Sequence, residues 1–305
     1  MRIVFLGTPD FAVSVLDTLV DKYDVVAVVS QPDRAKNRKG ELISTPTKEF
    51  ALSKGIPVFQ FEKIRNHADE LRELNADIFV TAAYGQILSQ EIIDIPMYGI
   101  VNVHASLLPK YRGSSPIQTA ILNGDEYTGV TIMQTEIGMD SGEVLGAKEL
   151  KIDGKNCGEL SKALAELGGQ LLLDVLKKIE NGTVDRIKQD EGAVVSCKKI
   201  KKEDAEIDWS KSADEIYNLI RALNPNPIAY ATYNDQRIKV YDAQVVPHNG
   251  ESGKVLFADK SNGIVVACGK SAIKIVKLQA PGKKAMTATE FINGNKLVIG
   301  EYFGK

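Results

Sequence analysis

Asn102, His104 and Asp140 are the side chains of this chain whose types and spacing suit group-transfer chemistry. Asn102 and His104 lie two apart in the β-branched run Ile100-Val101-Asn102-Val103-His104, so as a strand this run points both side chains to one face. The amide can then donate to a developing oxyanion while the imidazole beside it moves a proton. Asp140, in the loop-like Gly138-Met139-Asp140-Ser141-Gly142, adds a carboxylate. Together the three groups can run an acyl transfer to an amine with neither a metal nor a covalent intermediate. A single histidine on an apolar strand is also commonly a hydrogen-bonded core residue. Two polar side chains on one apolar strand weigh against that, because burying each without use or partner costs about 1–3 kcal/mol. The other two histidines, His67 and His248, sit in polar or turn-like stretches, which leaves His104 as the candidate.

The elements that must hold these residues alternate along the chain. Arg2–Leu6, Val25–Ser30, Asp77–Ala82 and Ile100–His104 read as short apolar strands, with helical periodicity between them at Phe11–Lys22 and His67–Leu74. That alternation predicts an α/β fold with a doubly wound, mostly parallel sheet. Gly7-Thr8-Pro9-Asp10-Phe11 reads as a tight strand-to-helix turn; it is similar to a nucleotide-binding turn but lacks GxGxxG. A helix at Ser115–Leu122, strands at Gly129–Thr135 and Glu143–Ile152, and a long helix at Gly158–Glu180 stopped by Asn181-Gly182 complete a first domain, residues 1–188. Residues 189–205 are polar, contain the basic run Lys198-Lys199-Ile200-Lys201-Lys202, and read as a linker. From 206 to 305, a helix at Ala213–Ala222 precedes short strands at Ala229–Tyr233, Gln236–Val246, Gly253–Phe257, Gly263–Ala267 and Ala272–Leu278, evenly spaced between turns. These predict a smaller OB-like β-barrel. Its lysines, Lys274 among them, are either a phosphate-contacting surface or simply the exterior of the barrel.

Composition bounds the rest. The chain has 305 residues, 44% hydrophobic and 26% charged, and a net charge of −2, as expected of an ordinary globular protein of two domains or of one large domain with an extension. No apolar run approaches the ~18 residues of a membrane span, and Met1-Arg2-Ile3-Val4-Phe5-Leu6 lacks a signal-peptide pattern, so a cytoplasmic protein is expected. Three scattered cysteines fit neither a disulfide framework nor a metal site. From Ser196 onward, 17 Lys and Arg face 12 Asp and Glu, a balance of +5, which leaves −7 for the part before it. A basic C-terminal part points to a polyanionic partner, although lysines also keep strand edges soluble.

Longer stretches carry a resemblance. Phe5-Leu6-Gly7-Thr8-Pro9-Asp10-Phe11-Ala12, Gln31-Pro32-Asp33-Arg34, Ala83-Tyr84-Gly85-Gln86, Asn102 through Gly113, and Gly129-Val130-Thr131-Ile132-Met133 running to Asp140-Ser141-Gly142 resemble the methionyl-tRNA formyltransferase family. So do Ile207-Asp208-Trp209, Arg221-Ala222-Leu223-Asn224-Pro225 and Leu278-Gln279-Ala280-Pro281-Gly282-Lys283-Lys284. The first set is similar to that of any enzyme taking a formyl group from 10-formyltetrahydrofolate; the second separates the tRNA-acting members from relatives acting on small amines. The resemblance implies transfer of a formyl group to the α-amine of methionyl initiator tRNA, with Asn102, His104 and Asp140 catalytic and no metal. It implies that Ser106, Leu107, Leu108 and Pro109 line the folate crevice and that Arg38 contacts tRNA, while the basic linker and barrel offer Lys201, Lys202 and Lys274 as phosphate contacts. A monomer is expected. The chain departs from the family at Asn37-Arg38-Lys39-Gly40-Glu41, which keeps Arg38 but changes its neighbours, and at Asn224-Pro225-Asn226-Pro227, where the family has an aromatic residue. Two other possibilities stay open: a formyltransferase for a small amine, and an RNA-binding protein without catalytic activity.

Overall fold

The computed structural model describes residues 1–34, 40–294 and 297–304. The described residues divide into two units. The first takes Met1–Pro116, Tyr127–Lys151 and Ser161–Cys197, and the second takes Ile117–Glu126, Ile152–Leu160 and the chain from Lys198.

In the first unit, β1 (Arg2–Gly7) is buried from Ile3 to Gly7's threshold and leads into α1 (Asp10–Val20). This helix has Asp10 in its first turn, where an acid complements the helix dipole, and it buries Phe11, Ala12, Val15, Leu16 and Leu19 on one face. Then come β2 (Asp24–Ser30), α2 (Pro46–Ser53), β3 (Val58–Gln60), α3 (Ala68–Glu73), β4 (Ile78–Ala82), α4 (Gln90–Ile93), β5 (Ile100–His104), β6 (Lys110–Gly113), β7 (Tyr127–Gln134) and β8 (Val144–Lys151), while α5 (Pro116–Leu122), between β6 and β7 in sequence, belongs from Ile117 onward to the second unit. Helix α6 (Cys157–Glu180) stops at Gly182, whose φ of +66° is a conformation that glycine adopts without strain.

The strands form one seven-stranded sheet in the order β3-β2-β1-β4-β5-β7-β8. The pairs from β3 through β5 are parallel, and β5-β7 and β7-β8 are antiparallel. This is the mostly parallel sheet expected. The strand order reverses between β1 and β4, and ligands of such sheets bind beyond the carboxyl ends of the strands near that reversal. Along β5 the side chains alternate. Val103 points to the face covered by α6, where the helix comes so close that a Cβ on Gly168 would lie 2.8 Å from Val103 Cγ1. Asn102 and His104 therefore occupy the other face.

Part of the stretch 189–205, read from the sequence as a linker, is paired with strands of the first unit. Ile187 bridges antiparallel to Val144, residues 191–193 form a 3-10 turn, and β9 (Val195–Cys197) pairs in parallel with β6. These pairings draw the chain as far as Cys197 into the first unit.

The second unit contains α7 (Ala213–Ala222), β10 (Ala229–Tyr233), β11 (Gln236–Val246), β12 (Val255–Asp259), β13 (Gly263–Ala267), β14 (Ala272–Gln279), β15 (Met286–Thr287) and α8 (Ala288–Gly294). Its sheet is antiparallel, in the order β10-β11-β14-β13-β12, with β15 on β14. Asn234 and Asp235 both have positive φ at the β10–β11 turn, which matches the right-handed twist of a two-residue hairpin. Helix α7 opens with a reciprocal cap between Ser212 and Glu215. It buries Ala213, Ile216 and Ile220 in a core with Ile238, Val240, Ile264, Ile273 and Ile275. Trp209 and Tyr233 pack on Phe303. Burial pushes the Cys157 and Cys268 thiols up to about 11 and about 12.

Candidate active site

Strand β5 carries the two candidate groups Asn102 and His104. Asn102 is half-buried, and its side-chain oxygen accepts a 2.9 Å hydrogen bond from the Thr81 hydroxyl on neighbouring β4. With Oδ1 occupied, the Nδ2 hydrogens are the end of the amide turned outward. Thr81 was not singled out in the sequence, although a threonine in an otherwise apolar strand is a visible signal.

His104 is 6% exposed. Its Nε2 lies 3.0 Å from the backbone oxygen of Tyr111, and a carbonyl only accepts, so Nε2 carries the proton and the neutral ring keeps its lone pair on Nδ1. Nδ1 faces the Asp140 carboxylate at 3.7 Å, an ion-pair distance longer than a hydrogen bond. A proton taken at Nδ1 is thus held next to a negative charge. Asp140 itself has φ +51°, and its Oδ2 accepts from the Gly113 backbone N–H at 2.8 Å. The three residues expected to do chemistry are therefore brought to one end of the sheet by β5 and the loop between β7 and β8, although the sequence separates Asp140 from His104 by more than thirty positions.

Beyond His104 the chain turns sharply. Ser106 Oγ donates to Lys110 O at 2.5 Å, and Thr131 Oγ1 donates to Ser106 O at 2.7 Å while accepting from Leu108 N at 3.1 Å. Thr131 on β7 thus clamps both sides of the turn. Leu107 lies over Gly129, where a Cβ would approach Leu107 Cδ2 to 2.5 Å. Leu107, Leu108 and Pro109 are half-buried, and with the turn clamped by Thr131 they present a fixed apolar wall.

A second polar cluster joins motifs that are distant in sequence. Gln31 Nε2 and Thr8 Oγ1 both donate to Tyr84 O, at 3.1 and 3.2 Å, and Gln86 Nε2 donates to Phe61 O at 2.8 Å. Asp33 receives Lys48 Nζ at 2.5 Å, Gln60 Nε2 at 2.8 Å and the Thr45 N–H at 3.2 Å. Burial alone would raise the Asp33 carboxyl, but these donors outweigh it and hold it below the usual range.

Of the expected tRNA contacts, Arg38 lies outside the described residues. Lys201 and Lys202 are exposed near the start of the second unit, and Lys274 is a half-buried residue of β14 opposite Gln244. The described contacts do not join Lys274 to the other two. Among the described residues no group of three or more His, Cys, Asp or Glu side chains is placed to hold a metal ion, and no helix is long and apolar enough to cross a membrane.

Comparison with known proteins gives this geometry its context. Residues 1–176 match the formyl transferase family and residues 199–296 its C-terminal domain. Curated relatives named methionyl-tRNA formyltransferase include one from Acetivibrio thermocellus, 45% identical with all of both chains covered. Another, from Bacillus licheniformis, is 46% identical over 99% of this chain and 98% of its own. Among solved structures, an N-formyltransferase from Helicobacter canadensis in complex with folinic acid and dTDP-3-aminofucose shares the fold, with a TM-score of 0.67, 21% identity, and 90% of this chain and 99% of its own covered. With relatives this similar from end to end, the chain belongs to the methionyl-tRNA formyltransferase family.

Proposed function

We propose that this enzyme transfers the formyl group of 10-formyltetrahydrofolate to the α-amine of methionyl initiator tRNA, with Asn102, His104 and Asp140 as its catalytic residues. The neutral amine attacks the formyl carbon, forming the new N–C bond and moving an electron pair onto the formyl oxygen. Asn102 Nδ2 donates to that oxyanion. His104 Nδ1 takes the proton that the attacking nitrogen sheds, and Asp140 balances the imidazolium. Collapse of the intermediate breaks the bond to the folate nitrogen, which leaves with the proton that the His104 imidazolium gives back. What supports the chemistry most is that Thr81 occupies Asn102 Oδ1 and the Tyr111 carbonyl occupies His104 Nε2, which leaves Asn102 Nδ2 and His104 Nδ1 for the reactants at the carboxyl end of β5.

The turn Ser106-Leu107-Leu108-Pro109, buried at Ser106 and half-buried beyond it, is proposed to line the folate site, because its clamped apolar wall stands just past His104. Catalysis is assigned to the domain within residues 1–188 and tRNA binding to residues 206–305, read as an OB-like barrel. The short antiparallel strands and the positive charge from Ser196 onward support the latter. Arg38, Lys201, Lys202 and Lys274 are the proposed phosphate contacts. The enzyme is proposed to act as a monomer in the cytoplasm, to be checked by light scattering and by cell fractionation.

The test is formylation with 10-formyltetrahydrofolate and three acceptors in parallel: methionyl initiator tRNA, free methionine and a UDP-amino sugar. Product on the charged tRNA alone is expected. Product only on a small amine would overturn the choice of acceptor, and no product on any would overturn the assignment of catalysis.

A further inference from the structure

Asp140 stands in a conformation that its own loop does not explain. Its φ is +51°, Gly138 before it is at +142°, and both are left-handed values that ordinary side chains avoid. Such backbone persists only where neighbours over-determine it. One neighbour is Gly113, whose N–H fixes the carboxylate. The other comes from the polar stretch after α6. Gln189 Nε2 donates to Asp140 O and to Gly142 O, both at 2.8 Å, so its two amide hydrogens straddle the loop. Its Oε1 in turn accepts from Arg112 Nε at 2.9 Å.

Arg112 is 7% exposed and is set by Glu191, whose carboxylate takes both guanidinium NH groups at 3.1 and 2.7 Å. That guanidinium holds the Glu191 carboxyl below its usual range. The chain on either side is pinned as well, by the Ile187–Val144 bridge and by β9 on β6. Gln189 is therefore a fixed bracket with both ends of its amide in use. Only a primary amide at this reach supplies two donors and one acceptor at once.

We propose that Gln189, oriented by Arg112, is a positioning residue for formyl transfer: it holds the 138–142 loop so that the Asp140 carboxylate faces His104 Nδ1. It touches no reacting atom and acts through Asp140. This rests on the catalytic role proposed for Asp140. A carboxylate released from the bracket drifts from the imidazole, and a misplacement of about 1 Å can cost roughly 100-fold in rate.

The experiment is a double-mutant cycle in the full-length enzyme, with kcat and KM measured for charged initiator tRNA and for 10-formyltetrahydrofolate. Gln189→Leu removes all three hydrogen bonds. Gln189→Glu keeps the acceptor for Arg112 but sets oxygen against the Asp140 and Gly142 carbonyls, and it serves if the leucine variant does not fold. Either folded variant is expected to lose roughly 10- to 100-fold in kcat with KM changed less than about threefold. In an Asp140→Ala background the same substitution is expected to cost less than about twofold, because nothing remains to be positioned. An equal loss in both backgrounds, or wild-type kcat in either folded variant, overturns the role of Gln189. Wild-type kcat in Asp140→Ala alone overturns the catalytic role of Asp140 instead, so the two failures are told apart.

Discussion

An amide stabilises an oxyanion only when its nitrogen end faces the reacting carbon, and in this chain the Thr81 hydroxyl decides which end that is. Asn102→Asp keeps the shape and removes the donor, so kcat is expected to fall roughly 10²- to 10³-fold, the usual loss for one such donor. Thr81→Val frees the amide to rotate and should cost less than that, while Thr81→Ser, which retains the hydroxyl, should restore most of the rate. Equal kcat in the valine and serine variants would show that the hydroxyl does not orient Asn102. Asp33 makes a different prediction, about stability and pH. Its carboxyl sits below the usual value of 3.8 when folded, so the unfolded chain binds more protons in that window. Its contribution is therefore fully present above pH 3.8 and is lost as pH falls through the lower folded value. Asp33→Asn should lower Tm by a few degrees at neutral pH, and the gap from the unmutated protein should close in acid. A gap that stays constant into that acid window would assign the effect to something other than ionisation.

At the scale of elements, the pair β6 and β9 is an inconspicuous part of the fold, and β6 supplies the N–H that holds the Asp140 carboxylate. Gly113 at the end of β6 has φ +126°, and a Cβ there would lie 2.2 Å from Cys197 O on β9. Gly113→Ala must therefore separate the strands and displace the N–H that holds Asp140. Gly55→Ala is the control: φ is +72°, but the space around it is open, so it should cost only the roughly 1–2 kcal/mol of the left-handed backbone. Urea unfolding should show a larger loss for Gly113→Ala, accompanied by a fall in kcat that Gly55→Ala lacks. Equal losses would mean that β9 yields freely. Neither short strand is visible in the sequence, because three or four residues carry no usable period. By contrast β5 and α6 are readable from their apolar spacing. Asn102 and His104 stood out because polar groups on a buried strand need a reason. Gln189 gave no such signal: it is a half-buried amide in a polar stretch, and its role is set by partners 47 to 77 residues away.

For the whole molecule, the acceptor proposed is a polyanion many times larger than the formyl group, so binding and chemistry answer to different variables. Lys201 and Lys202 are exposed, Lys274 is half-buried on β14, and the Arg237 guanidinium lies 3.9 Å over the Tyr230 ring, on a part of the chain with a net charge of +5. Phosphate contacts release counterions, so affinity for tRNA should fall linearly in log Kd against log salt, each contact contributing a slope of about 0.9 on a duplex. Replacing Lys201, Lys202 and Lys274 together by alanine should weaken binding, raise KM for the charged tRNA and flatten that slope by up to three contacts. The three lysines are not joined by any described contact, so single substitutions should add, as separate sites do. A triple variant with the original slope would remove these lysines from the tRNA surface. The positive charge after Ser196 would then have to act through other groups, with the Arg237–Tyr230 pair the next to replace, because a stacked guanidinium keeps its charge fixed in place while its partner ring offers a face to an unpaired base.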